Sequence, residues 1–217
     1  GVGAGLARIG FTPFVHSFAV FLTRRSFDQI AMQVAYPKTN VKLVGFMPGI
    51  DSLLGVSHQA IDDIALMRAL PNMTVIEPAG PADYEDAVKA ALAHHGPVYL
   101  RLYRANSHAS NSSSFPPFGI GKIRKLSSGE DAVIFATGLM VEIALQASKK
   151  LKKDSINATV VDCASIKPLD VEGILKVVSE CKIIVTAENH TVVGGLGSAI
   201  ADVLASNNIA RPFFRIG

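Results

Sequence analysis

The sequence predicts an α/β protein of two domains, each a mainly parallel sheet with helices on both faces. Three observations lead there. Short β-rich runs alternate with stretches of helical spacing along the chain. Hydrophobic residues make up 49% of the 217 residues and charged residues only 18%, which suits strands buried on both faces. The alternation breaks once, in a stretch rich in Ser, Asn and Pro, and then restarts.

Gly1 to Ala7 is a Gly/Ala-rich helical pattern entered part-way, so an upstream stretch is expected; the end at Arg215-Ile216-Gly217 looks equally abrupt. Phe14 to Phe21 reads as a strand with its following turn, and Ser26 to Tyr36 as a helix stopped by Pro37. Val41 to Phe46 is an apolar run bounded by Pro48-Gly49. Ile61 to Arg68 has helical spacing, Thr74 to Glu77 is a short strand ended by Pro78, Tyr84 to Ala93 is a helix and Val98 to Leu102 a strand. Residues 105–118 have no periodicity and read as a linker. Beyond it come a strand at Ala132 to Ala136, a helix at Val141 to Leu151 and a strand at Ala158 to Asp162. A helix at Val171 to Ser179 and a strand at Ile183 to Thr186 follow. Another helix opens after Gly194-Gly195-Leu196-Gly197 and runs to Ser206, and Phe213 to Ile216 is a last strand. The expected domains are 1–104 and 127–217, with 105–126 between them.

Composition excludes several classes. No apolar run approaches the ~18–20 residues that cross a bilayer, so the positive mean hydropathy reads as buried strands. A net charge of +3 is too small and scattered to argue for nucleic acid. Lys149, Lys150, Lys152 and Lys153 end a helix, where cations suit the dipole and face water. Cys163 and Cys181 lack CxxC spacing and read as reduced, buried thiols of a cytoplasmic protein.

The candidate motifs each have two readings. The Gly194–Gly197 cluster at a helix start could cradle a phosphate on backbone N–H groups, or be a turn that permits close packing. None of the six histidines forms a helical metal pair, and no metal ligand set is expected in this chain. His16 lies in an apolar strand and reads as a core residue, and His94-His95 end a helix where a cationic or solvated role suffices. His58 differs: it follows Gly55-Val56-Ser57 in a loop after a strand's carboxyl end, where parallel sheets bind ligands. Arg104 has a similar place after Val98 to Leu102, suited to a phosphate or carboxylate. Phe14, Phe18, Phe21 and Phe27 cluster around the first strand, for core packing or for stacking on a flat heterocycle.

Taken together these segments resemble the transketolase family over nearly the whole chain. Gly1 to Ala7 resembles the helix that follows the family's catalytic glutamate. Ser17-Phe18-Ala19-Val20-Phe21-Leu22-Thr23 with Arg25, Phe27, Asp28 and Gln29 resembles the segment whose aromatics hold the aminopyrimidine ring. Gly55-Val56-Ser57-His58-Gln59, continuing to Met73, is the most specific match. Ile166-Lys167-Pro168-Leu169-Asp170 and Glu188-Asn189-His190 with the glycine cluster resemble the C-terminal domain, which favours the structural reading of those glycines.

The resemblance implies thiamine diphosphate as cofactor and transfer of a two-carbon ketol unit between sugar phosphates, as in pentose phosphate metabolism. Phe18 and Phe21 would bind the pyrimidine, with the position of a further contact falling at Arg24 or Arg25 and Arg25 taken as the candidate. His58 would act as the catalytic and substrate-binding histidine, and Arg104 would bind the sugar phosphate. Three departures stand out: the catalytic glutamate falls upstream of Gly1, Leu54 replaces an aspartate, and Phe46 replaces a phosphate-contacting histidine. The Gly-Asp-Gly signature that holds Mg²⁺ against the diphosphate is absent from the sequence. A diphosphate-binding partner subunit or domain is therefore expected to hold Mg²⁺, in a homodimer or heterotetramer, with no activity in the isolated chain. The alternatives are a 1-deoxyxylulose-5-phosphate synthase-like enzyme and a non-catalytic regulatory or scaffold remnant; the beta subunit of a 2-oxoacid dehydrogenase would lack the His58 loop.

Overall fold

A computed structural model describes residues 1–52, 54–103 and 115–217. It contains two five-stranded sheets, of order β1-β2-β4-β3-β8 and β10-β9-β6-β7-β5, and the expected α/β class holds.

In the first sheet, β1 (Phe14–Phe18), β2 (Lys42–Phe46), β4 (Val98–Leu102) and β3 (Thr74–Ile76) run parallel. Alternate side chains face opposite sides. Val15, Leu43, Tyr99 and Val75 pack against α1 (Val2–Arg8), α3 (Phe27–Ile30) with its π-helical continuation Ala31–Ala35, and α4 (Asp63–Ala69). Val44, Leu100, Leu102 and Ile76 pack against Ala87 and Ala91 of α5 (Tyr84–Ala93). Between β1 and α3 lies α2 (Ala19–Arg24), not simply a turn. Pro37 does follow the last helical turn, but the expected helix bulges there to five-residue spacing.

In the second sheet, β6 (Ala132–Ala136), β7 (Ala158–Asp162), β9 (Ile183–Ala187) and β10 (Phe213–Ile216) are parallel. One face packs on α7 (Val171–Ser179) and α8 (Leu196–Ser206), the other on α6 (Met140–Leu151). Helices therefore cover both faces of each sheet.

Two short strands escape the sequence reading. Arg124 and Lys125, placed within the linker above, form β5 and pair antiparallel with β7. Ser165–Lys167 forms β8, which leaves the second domain to pair antiparallel with β3 of the first, and the Glu77 N–H donates to the Ala164 carbonyl at 2.7 Å. Ile166 thereby joins the first domain's core. Arg124 adds a second tie: it donates to Asp83 at 2.6 Å and to Asp162 at 2.5 Å, all three being buried. Burial pushes the Asp162 carboxyl up to about 6, against the pull of Arg124.

Candidate active site

The register of the first sheet creates the site. Phe18 pairs with Phe46, and Phe46 with Leu102, so three parallel strands end level. Ligands of such sheets meet the chain at this carboxyl edge. Here a cleft of about 570 Å³ is lined by His16, Ser17, Phe18, Phe46, Met47, Leu102 and Tyr103. Met47, whose N–H donates to the Leu102 carbonyl at 3.1 Å, takes a left-handed φ of 52°, unusual for a side-chain-bearing residue.

Phe18 is also the N-cap of α2, which puts Phe21 on the adjoining helix face one turn later. His58 comes from a tight turn, Val56–His58, entered through Gly55 at φ 76°, a backbone conformation suited to glycine. That loop is pinned by Gly49 N–H to the Ala60 carbonyl at 2.6 Å and by the Gln59 amide to the carbonyls of Ile50 and Ser52. The His58 ring lies 5.5 Å from Phe18 and 4.9 Å from Phe21, and the two phenyl rings are 5.7 Å apart. All three meet edge to face and are half-buried. His58 Nδ1 is 3.0 Å from Ser57 Oγ; Nε2 has no partner among the described residues. The Arg25 guanidinium sits over the Phe21 ring at 4.0 Å. Arg24 ties α2 to the start of α4 through Asp62 at 2.9 Å.

Of the sequence candidates, Phe18, Phe21, Arg25 and His58 are thus brought together. Arg104 lies outside the described residues. Phe27 packs on the core, and Phe14 is exposed. The core reading of His16 is wrong. β1 is an edge strand, its Val15 side faces the helices, and His16 points the other way into the cleft, edge-on to Phe46 at 5.7 Å. His94 is not simply solvated: its ring meets Thr74 Oγ1 at 3.2 Å, and burial with nearby Lys42 holds it toward the neutral form. Both thiols are buried, which raises them further from ionisation.

Sequence reasoning missed the charged floor under the site. Arg101, wholly buried, donates to Asp63 at 2.8 Å, to Glu77 at 2.5 Å and to the Tyr103 hydroxyl at 2.8 Å. It also reaches the carbonyls of Ala60 and Asn189, tying the His58 loop to the second domain. Burial opposes charge on Asp63, but Arg101 overrides it and holds the carboxyl below the usual range. The available signal was an arginine inside the apolar run Val98 to Leu102. Lys42 gave a similar one: its buried ammonium donates to the His94 and Gly96 carbonyls, and burial lowers its pKa to about 8.

The glycine cluster opens α8, and the N–H groups of Gly194, Leu196 and Gly197 are already taken, the first by Ser198 Oγ at 2.9 Å. The Glu188 carboxylate accepts from Leu196 at 2.7 Å and Gly197 at 2.8 Å. A Cβ on Gly195 would come within 1.8 Å of that carboxylate. Burial pushes Glu188 up to about 7 although both N–H groups pull it down. Among the described residues no cluster of His, Cys, Asp and Glu could hold a metal ion, and no helix is long and apolar enough to cross a membrane.

Comparison with known proteins agrees with this layout. Residues 1–109 match the transketolase pyrimidine binding domain and residues 121–217 the transketolase C-terminal domain. The chain is 44% identical to the 6-deoxy-6-sulfo-D-fructose transketolase subunit SqwH of Clostridium sp. (strain MSTE9), covering 100% of this chain and 67% of that protein. It is 42% identical to a putative uncharacterized transketolase family protein of Sinorhizobium fredii, covering 98% of this chain and 62% of the relative. A solved structure described as a split gene transketolase, inactive beta4 tetramer, superposes with a TM-score of 0.90 at 43% identity, over 100% of this chain and 70% of that one. The chain therefore spans about two thirds of the length of these relatives. With both domain models matched in order, the chain belongs to the transketolase family.

Proposed function

We propose that the chain is the pyrimidine-binding and C-terminal part of a thiamine-diphosphate-dependent transketolase that moves a two-carbon ketol unit between sugar phosphates in the cytoplasm. A diphosphate-binding partner would complete the site and hold Mg²⁺. The observation that carries this reading is the meeting of Phe18, Phe21 and His58 at a carboxyl edge that opens directly into a cleft. Half-buried aromatic rings there fit a flat heterocycle with one end left wet. When bound, the cofactor supplies the electron sink for cleaving a bond beside a carbonyl.

The chain's own residues do the rest. Phe18 and Phe21 hold the pyrimidine and keep water from it. Arg25, over Phe21, fixes that ring in place. His58, with Nδ1 engaged by Ser57, offers Nε2 to a substrate hydroxyl or carbonyl and carries its proton. Arg104 follows the strand that ends beside the cleft and is assigned to the sugar phosphate. The Arg101 network keeps the His58 loop at its height through the Ala60 carbonyl.

The test is to assemble the chain with a candidate diphosphate-binding subunit, Mg²⁺ and thiamine diphosphate, and to follow ketol transfer from xylulose 5-phosphate. His58→Ala is expected to lower kcat/KM about 100-fold or more. A well-formed complex that transfers no ketol unit, or a fully active His58→Ala variant, would sink the reading.

A further inference from the structure

The tip of the His58 loop lies in solvent: Leu54, Gly55, Val56 and Ser57 are exposed, and His58 is half-buried. With so little packing at the tip, the place of the imidazole is set at the base of the loop, where Gly49 bridges Ala60. That base is held largely from the second domain, by the segment that follows β9. On the way in, the Ile50 N–H donates to Asn189 Oδ1 at 3.1 Å. On the way out, the Ile61 carbonyl accepts from the Thr191 N–H at 2.9 Å. Between them, one nitrogen of Arg101 donates to the Ala60 carbonyl at 3.2 Å and to the Asn189 carbonyl at 3.0 Å. Asn189 thus meets the loop base twice, through its side chain and through its backbone. The side chain is buried and lies against Gly49, where a Cβ would come within 2.3 Å of the amide. Its Oδ1 is the atom in use; Nδ2 has no partner among the described residues.

We propose that Asn189 of the second domain is a positioning residue for His58: by accepting from Ile50, it fixes the base of the loop and so the place of the imidazole against Phe18 and Phe21. The assignment rests on the role of His58 proposed above. A group displaced by about 1 Å from its working position can cost about a hundredfold in rate, so a loop with an exposed tip needs a fixed base. Holding the two domains together does not account for Asn189. That task falls to β8, paired with β3, and to Arg124, which joins Asp83 to Asp162. Removing the Asn189 acceptor leaves those ties whole and loosens the loop base, because the Ile50 N–H must then turn toward water.

The test follows the place of the ring and the rate together, in the chain assembled with its diphosphate-binding partner. Its histidine rings are labelled with carbon-13 for magnetic resonance, and His58→Ala identifies the His58 signal by removing it. Edge contact with two phenyl rings displaces that signal. In Asn189→Leu it should move toward the position of a free imidazole, and in Asn189→Asp, which keeps an acceptor for Ile50, it should stay. The kcat for ketol transfer from xylulose 5-phosphate should fall about tenfold in Asn189→Leu, the scale of a donor left without its acceptor. KM should change less than about twofold, and Asn189→Asp should keep most of the rate. In a His58→Ala background the leucine should cost little more. An unmoved signal in Asn189→Leu would overturn the proposal, as would an equal loss of rate with and without His58, or an aspartate variant as slow as the leucine one. Should leucine prevent assembly, Asn189→Ala, which removes the acceptor without adding bulk, takes its place. If the assembly transfers no ketol unit, the function proposed above fails and the His58 signal alone decides the assignment.

Discussion

The carboxyl edges of the two sheets are built from the same kind of parts and left in opposite states. At the first, Phe18, Phe21 and His58 meet over an open cleft, and His58 Nε2 has no partner among the described residues. At the second, α8 begins on glycines whose N–H groups could hold an anion, and the chain's own Glu188 carboxylate fills the place. A glycine-rich helix start is therefore no measure of ligand binding by itself. What matters is whether the fold supplies an internal acceptor.

The largest effect expected in breaking this comparison is on the floor beneath the open edge. Arg101→Leu leaves Asp63 and Glu77 buried without their cation and should cost about 3–5 kcal/mol in denaturant unfolding. Next is the plug: Glu188→Ala orphans two buried N–H groups and should cost about 2–4 kcal/mol. Sulfate stabilises any fold relative to chloride, but that variant should gain more than the parent at equal ionic strength. The plug also predicts a pH dependence. Glu188 is raised to about 7 in the folded chain, so the stability it carries is complete below the unfolded value near 4.5 and is lost as pH climbs through about 7. The loss is at most about 3 kcal/mol, and Glu188→Gln should flatten that slope. Packing comes next. Phe21→Ala at the half-exposed edge should cost less than about 2 kcal/mol, while Phe135→Ala, wholly buried in the second core, should cost about 3–5. A larger penalty at Phe21 would mean that the open edge is a packed core. Smallest is Arg24→Ala, which removes an exposed pair with Asp62 and should cost under about 1 kcal/mol.

Most of the fold was legible because parallel strands and their helices carry local signals. α5, β4, β6, β7, α7 and β10 keep the bounds read from periodicity. β5 and β8 were hidden because each is very short and pairs with residues far along the chain. His58 and the phenylalanines could be nominated from a loop and a motif. Arg101, Asp63 and Glu77 could not, since each sits in an ordinary strand or helix and only the fold brings them together. His16 was misread because an apolar strand does not reveal which of its faces is uncovered.

The crossing of β8 has a practical meaning for anyone who would cut or recombine this chain. Family models part it between residues 109 and 121, but the hydrogen bonds do not. A fragment ending in that interval would present the bare edge of β3, with Val75 and Ile76 unprotected, and such an edge invites pairing with other copies. The first domain, expressed alone, should aggregate or pair with itself. A chimaera that swaps the second domain must carry a compatible Ser165–Lys167 with it.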